Sequence, residues 1–307
     1  WVLNNRRARW VIEKLLGISR HRKLPTFARK SFLHKYGDDV ARPAVRSGRT
    51  DECVVYFVDH YANFHDPDLG RALVAVLKHH GIEVLIPREQ TASGMAMISA
   101  GDLDAARELA EQNLRVLCEF VREGYPIICT EPAAALCLGR EYPQIIDHPD
   151  VDLVASHVQE AGAFLAELHD SGRLKTDFSP LELTAAYHTP CHLRALGSRT
   201  PFADLVSLIP GFDLRRIEAG CSGMAGAFGL TKRHFKTSLN MGRALMERIS
   251  EPGFPLGVTE CSSCKLQMQQ QTTTPTVHPL KLLALAYGLM PELARALRLS
   301  PKRLVIT

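Results

Sequence analysis

The sequence predicts an α/β protein made of duplicated strand–helix units with parallel sheets. Three observations carry this. Short runs of β-branched and aromatic residues alternate with segments whose apolar residues recur at helical spacing, the pattern of βαβ units covered on both faces. That order occurs twice along the chain. Short motifs also recur at one offset: Ala92-Ser93-Gly94-Met95-Ala96 matches Cys221-Ser222-Gly223-Met224-Ala225, and Thr130-Glu131 matches Thr259-Glu260, both 129 residues apart.

In chain order, a helix is expected over 9–16, followed by an irregular connector interrupted by Pro25 and Pro43. A strand at 54–58 leads, after Pro67, into an amphipathic helix through Leu69, Leu73, Val76 and Leu77, which Gly81 ends. Strands follow at 82–86 and 125–129, with a long helix over 101–123 between them. The second half reads as strand 183–187, helix 201–208, strand 212–217, helix 235–249 and strand 256–259. The expected organisation is a basic arm and connector over 1–50, a first repeat over 51–150, and a second repeat with C-terminal helices over 151–307.

With 307 residues, 46% hydrophobic and 23% charged, the composition is that of an ordinary globular chain. A net charge of +4 is too small for nucleic-acid binding across the whole surface. The charge is concentrated, however. Nine Lys and Arg against the single acid Glu13 give residues 1–30 a charge of +8, which leaves the rest at −4. Such a segment either docks on an acidic protein or anionic lipid surface, or is a solvated basic helix. No run approaches the roughly 18 apolar residues of a membrane span, and no signal-peptide pattern is present at the start. The chain opens on Trp1 rather than Met, which reads as a piece of something longer. Eight cysteines without a secretory signal point to a reducing, cytoplasmic compartment, with peripheral membrane attachment left open.

Four of those cysteines form a constellation. Cys261-x-x-Cys264 places two thiolates on one turn, while Cys191 and Cys221 each follow a predicted strand in a separate loop. In parallel α/β units such loops gather at the carboxyl ends of the strands, where these folds place their sites. Flanking Gly220, Gly223 and Gly226 allow close backbone approach and offer N–H groups to sulfur. One metal or iron–sulfur site on Cys191, Cys221, Cys261 and Cys264 is therefore expected. His188 and His192 bracket Cys191, and His278 follows the C-x-x-C helix; together with Ser222 and Gly223 they are expected around the ligands. Arg194 and Lys265 are placed to offset negative charge. Cys53, Cys118, Cys129 and Cys137 read as structural. Gly223-x-x-Gly226-x-x-Gly229 lacks the opening and the acidic residue of a dinucleotide fingerprint.

Tyr187-His188-Thr189-Pro190-Cys191-His192-Leu193-Arg194, Gly220-Cys221-Ser222-Gly223 and Thr259-Glu260-Cys261-Ser262-Ser263-Cys264-Lys265 together resemble the cysteine-rich "CCG" domain. That domain occurs in heterodisulfide reductase, in the iron–sulfur subunits of glycolate oxidase and anaerobic glycerol-3-phosphate dehydrogenase, and at the C-terminus of fused FAD-linked oxidases. The resemblance covers roughly residues 50–290. It implies two pseudo-symmetric CCG-type repeats and electron transfer between a flavin module, iron–sulfur clusters and an acceptor such as a quinone. FAD is then expected only in an upstream or partner flavin-containing dehydrogenase, acting on a hydroxy acid.

Two departures from the family pattern matter. Serine at 222 leaves four thiolates where the family has five, which suits a [4Fe–4S] cube or a tetrahedral Zn²⁺. In the first repeat the corresponding positions hold His60, Ala92, Pro132 and Ala135, so no metal is expected there. The remaining pocket of His60, Tyr61, Asn63 and Met95 is either vestigial or open to an organic partner. Two further readings stand beside the electron-transfer one: a non-catalytic docking domain locked by Cys₄ zinc, and a thiol–disulfide enzyme using Cys261 and Cys264 alone.

Overall fold

The computed structural model describes residues 5–36, 53–197 and 199–297. Two four-stranded, all-parallel sheets form its frame. The first comprises β1 (Cys53–Phe57), β2 (Glu83–Leu85), β3 (Ile127–Cys129) and β4 (Val158–Glu160), in the order β2-β1-β3-β4. The second comprises β5 (Leu183–Tyr187), β6 (Phe212–Arg216), β7 (Leu256–Val258) and β8 (Thr276–Val277), in the equivalent order β6-β5-β7-β8. β3 and β7 begin 129 residues apart, so the offset of the motifs is that of the strands. Both fourth strands are additions to the sequence reading, and β4 joins the first sheet from beyond residue 150. They are two or three residues long, too short for a periodicity of two to show.

Every residue of β1 is buried, as a strand with helices on both faces requires. The principal core is shared by the two repeats. Val54, Tyr56 and Val58 of the first join Ala185, Tyr187, Leu256 and Val258 of the second in one apolar cluster. Helix Pro279–Ala286, beyond β8, packs on helix Pro67–His79 of the first repeat. Leu69, Leu73, Val76 and Leu77 line the buried face of the latter helix, each contributing roughly 1.5–3 kcal/mol by burial. Helix Leu103–Arg122 covers the opposite face of the first sheet through Ala110, Leu114, Leu117 and Val121.

The helix expected over 235–249 is two helices, Phe235–Met241 and Arg243–Ile249, meeting at Gly242. A Cβ at that position would lie 2.2 Å from the Ser222 carbonyl oxygen, so the break lets the cysteine loop approach the helix backbone.

The basic arm is built into the second repeat. Helix Arg6–Leu16 is capped by Asn5, whose Oδ1 accepts from Arg7 N and Ala8 N, and ends at Gly17 with φ of 67°. The segment after it bridges to Thr231 through Ile18 and enters the fold. Arg22 is 2% exposed; it donates to the Gly229 carbonyl, Gln267 Oε1 and Ser238 Oγ and lies over the Phe235 ring. Arg9 donates to the Ser19 and Arg22 carbonyls from a buried position. A solvated or purely docking arm therefore fails for these two side chains: Arg22 holds the arm to the C-x-x-C helix, and Arg9 ties helix Arg6–Leu16 to the segment that carries Arg22. Trp10, Val11, Leu15 and Leu16 of the same helix face solvent. The connector from residue 37 onward lies outside the described residues. Among the described residues, no helix is long and apolar enough to cross a membrane.

Candidate metal centre

Three parallel strands aim the second repeat's cysteines at one place. β5 lies between β6 and β7, so the chain moves from one side of β5 to the other after β6. That reversal opens a crevice at the carboxyl ends of the strands. β5 delivers His188 and Cys191, β6 delivers Cys221, and β7 delivers Cys261. A cavity of about 100 Å³ lies there, with Cys191, Cys221, Cys264, Ser222, His188 and Arg194 on its walls. Cys191 and Cys221 are exposed, and Cys261 and Cys264 are buried, so the site has one edge at the surface.

Contacts link Cys261 to this cavity. Its sulfur is hydrogen-bonded to Cys264 and to the His192 ring, and His192 Nδ1 lies 4.0 Å from Cys191 Sγ. Ser222 Oγ donates to Cys264 Sγ at 3.2 Å. Backbone donors also serve the sulfurs: Gly223 N–H reaches Cys221 Sγ at 3.2 Å, and Cys264 N–H reaches Cys261 Sγ at 3.5 Å. The loop can do this because it is curled by residues of positive φ: Gly220, Gly223, Ala225 and Gly226. Ala225, at φ of 43°, is the one non-glycine residue among the described residues held there, a strained conformation of the kind that clusters at functional sites.

The Cys261 thiol is held protonated, first by its hydrogen bond with Cys264 and then by burial, both of which push its pKa well up. Among the described residues, no three His, Cys, Asp or Glu side chains converge in a preformed coordination sphere. The donor set nevertheless fits a thiolate-bound group. Three soft sulfurs and a serine that spends its proton on sulfur surround one cavity, Cys261 is hydrogen-bonded to Cys264, and the buried Nδ1 of His188 has no hydrogen-bond partner among the described residues.

Other expected residues lie elsewhere. His278 does not reach the thiol cavity: its Nε2 lies 3.1 Å from the Thr130 carbonyl and its Nδ1 accepts from Leu280 N–H. Lys265 turns away from the sulfurs, pairing with Asp66 at 3.3 Å and lying 5.7 Å from the centre of the Tyr61 ring. In the first repeat, His60 is exposed, Tyr61 is buried towards the second repeat, Asn63 accepts from Leu33 N–H, and Met95 packs on the outer core. Cys137 donates to the Ser93 carbonyl at 3.0 Å, and Cys129 is fully buried.

The sequence reading missed the layer behind Cys261. Both carboxylate oxygens of Glu131, from the first repeat, lie 3.2 Å from Ser262 N–H at the start of the C-x-x-C helix. Burial, and then the neighbouring Cys261, push the Glu131 pKa well up. Asp66 joins Lys265 and Lys281 in a buried triad across the repeats. Glu260 accepts from the Tyr187 hydroxyl, and burial raises its pKa to about 8. The recurrence of Thr-Glu after both strands was the available signal for Glu131; nothing local marks Asp66.

The comparisons with known proteins agree with this architecture. The family of the cysteine-rich domain, CCG, matches residues 54–138 and again 185–269. The chain belongs to that family, as a tandem pair of its domains. Among its relatives is a subunit of the anaerobic glycerol-3-phosphate dehydrogenase of Escherichia coli, 31% identical over 91% of this chain and 69% of that one. A subunit of the fumarate reductase (CoM/CoB) of Methanothermobacter marburgensis is 30% identical over 84% of this chain and 49% of its own length. An uncharacterised iron–sulfur protein of Methanococcus maripaludis is 23% identical over 83% and 48%. The chain thus spans about half the length of the last two.

Proposed function

We propose that this chain is the electron-transfer, iron–sulfur portion of an FAD-linked oxidoreductase acting on a hydroxy acid, with one cluster on Cys191, Cys221, Cys261 and Cys264. The observation that carries this is the gathering of Cys191, Cys221 and Cys264 around one cavity at the ends of β5, β6 and β7, with Cys261 hydrogen-bonded to Cys264 behind it. Relatives named as subunits of a dehydrogenase and a reductase, and as an iron–sulfur protein, support the redox role over a zinc-locked docking domain. Four thiolates suit a [4Fe–4S] centre, which when bound supplies reversible one-electron chemistry.

The chain's own residues prepare the site for that task. Gly223 N–H, Cys264 N–H and Ser222 Oγ donate to three of the sulfurs, contacts that orient ligands and tune a bound group. Arg194 places a cation at the cavity wall, and the parallel strands hold the ligands on rigid supports. The exposed edge at Cys191 and Cys221 is where a partner flavin-containing dehydrogenase, or an acceptor such as a quinone, would approach. The first repeat, with His60, Ala92, Pro132 and Ala135 in the ligand positions, serves as scaffold and supplies Glu131 and Asp66 to the back of the site.

Stepwise reduction of anaerobically prepared protein, followed by electron paramagnetic resonance, tests the reading. A signal that appears with one electron per chain and vanishes on reoxidation is expected. A colourless, redox-silent protein holding one zinc per chain would overturn it.

A further inference from the structure

We propose that His188 is a positioning residue for the metal centre, donating an imidazole N–H into the thiol cavity onto a sulfur of the bound group and so raising its reduction potential. This rests on the iron–sulfur reading above and goes beyond it by assigning a residue that is not a ligand.

The placement of His188 is fixed by the fold. It is the first residue past β5, and its backbone N–H donates to the Val258 carbonyl at 2.9 Å, which pins it between β5 and β7 over the cavity. His188 lines the cavity beside Cys191, Cys221 and Cys264 and is 1% exposed. Nδ1 is buried without a hydrogen-bond partner among the described residues. Leaving a buried polar nitrogen unmatched costs about 1–3 kcal/mol, so such a ring is retained where something in the cavity meets it.

The neighbouring histidines are committed elsewhere. His278 is engaged through both ring nitrogens, and His192 is bonded to Cys261. Of the other polar side chains on the wall, Ser222 gives its proton to Cys264, Thr189 is hydrogen-bonded to the Tyr187 hydroxyl, and Arg194 is a cation. His188 is left on that wall with a buried ring nitrogen that no described residue engages. An imidazole always carries at least one N–H, so the ring has a proton to donate. Four thiolates already complete a four-iron centre, which leaves the imidazole outside the coordination sphere. An N–H directed at sulfur withdraws charge from it and favours the more negative, reduced state.

The test uses the cluster-loaded full chain, with iron content, midpoint potential and pulsed paramagnetic resonance of protein labelled with ¹⁵N-histidine. In wild-type protein a weak nitrogen coupling is expected. His188→Phe should keep its iron, lose that coupling and titrate at a lower potential; His188→Gln, which retains an N–H donor, should recover part of the potential. An unchanged potential in both variants at full iron content would overturn the role. So would a strong, ligand-type nitrogen coupling, or wild-type protein without any histidine coupling, whether or not the variants fold. Absence of iron and sulfide from wild-type protein would overturn the iron–sulfur reading itself, a separate failure read from metal content alone.

Discussion

Replacing Asp66 with Asn should unfold the junction between the two repeats, because it removes the only anion of a buried triad. Asp66 Oδ2 lies 3.3 Å from Lys265 Nζ, Oδ1 bonds Lys281 Nζ, and all three side chains are buried. At an effective dielectric near 20, attraction at that distance is about 5 kcal/mol per pair, opposed by the desolvation of each ion. Removing one partner of a buried pair while leaving the other charged typically costs about 3–5 kcal/mol, which is the loss expected for Asp66→Asn. Lys281→Met is the contrasting change. It leaves Asp66 paired with Lys265, and should cost no more than about 1 kcal/mol. The pH dependence follows from the charges. Burial alone would raise the Asp66 pKa, but Lys281 and then Lys265 bring it down to about 2. A depressed carboxyl contributes stability that is present above its unfolded value of about 4 and is lost as pH falls towards 2. In Asp66→Asn that component is absent, and the remaining instability should ease at alkaline pH, where Lys281, whose pKa burial lowers, sheds its proton. Urea unfolding followed by circular dichroism, extrapolated to water, measures both variants. Asp66→Asn within about 1 kcal/mol of wild type, or a Lys281→Met change as costly as Asp66→Asn, would refute the reasoning.

Gly223→Ala places a Cβ 2.3 Å from the Ser238 carbonyl at a φ of 86°, and should cost more than about 2 kcal/mol and impair iron retention. Gly253→Ala, at a positive φ but in open space, should cost less and leave the iron alone; equal effects would contradict the crowding argument. Burial raises the Glu160 pKa to about 7, so its contribution to stability is present at low pH and is lost as pH rises from about 4.5 through 7. Glu160→Gln should match wild type near pH 5 and exceed it by on the order of 3 kcal/mol above pH 8, and parallel stability curves would count against this. Arg22→Met strips the donor from Gly229, Gln267 and Ser238, and should make the arm a site of early proteolysis; unchanged cleavage kinetics would mean that Arg22 does not anchor it.

The frame was legible because parallel strands buried on both faces read as continuous apolar runs, as in β1, and because the 129-residue offset exposed the duplication. The strand-end positions of Cys191, Cys221, Cys261 and Cys264 were legible too, and the structure brings three of them to one cavity with the fourth hydrogen-bonded to Cys264. What stayed hidden depends on long-range packing. Strands β4 and β8 are defined by their neighbours rather than by their own pattern. Gly242 interrupts a helical sequence whose periodicity runs on, for a reason that lies in the approach of Ser222. Arg22 looked like one more charge of a basic arm; only the tertiary structure places its guanidinium among carbonyl and amide acceptors. Asp66, Lys265 and Lys281 are far apart in sequence and meet only when helix Pro279–Ala286 packs on helix Pro67–His79. His278 shows the converse: proximity in sequence to a cysteine helix did not bring its ring to the cavity.

The central claim is that Cys191, Cys221, Cys261 and Cys264, and not the other four cysteines, hold an iron–sulfur centre. Iron and acid-labile sulfide in anaerobically purified protein, compared with a variant carrying serine at those four positions and another carrying serine at 53, 118, 129 and 137, test it most directly. About four irons and four sulfides per chain are expected in wild type and in the second variant, and neither in the first. Zinc in place of iron, or iron that survives loss of the four, would contradict the account.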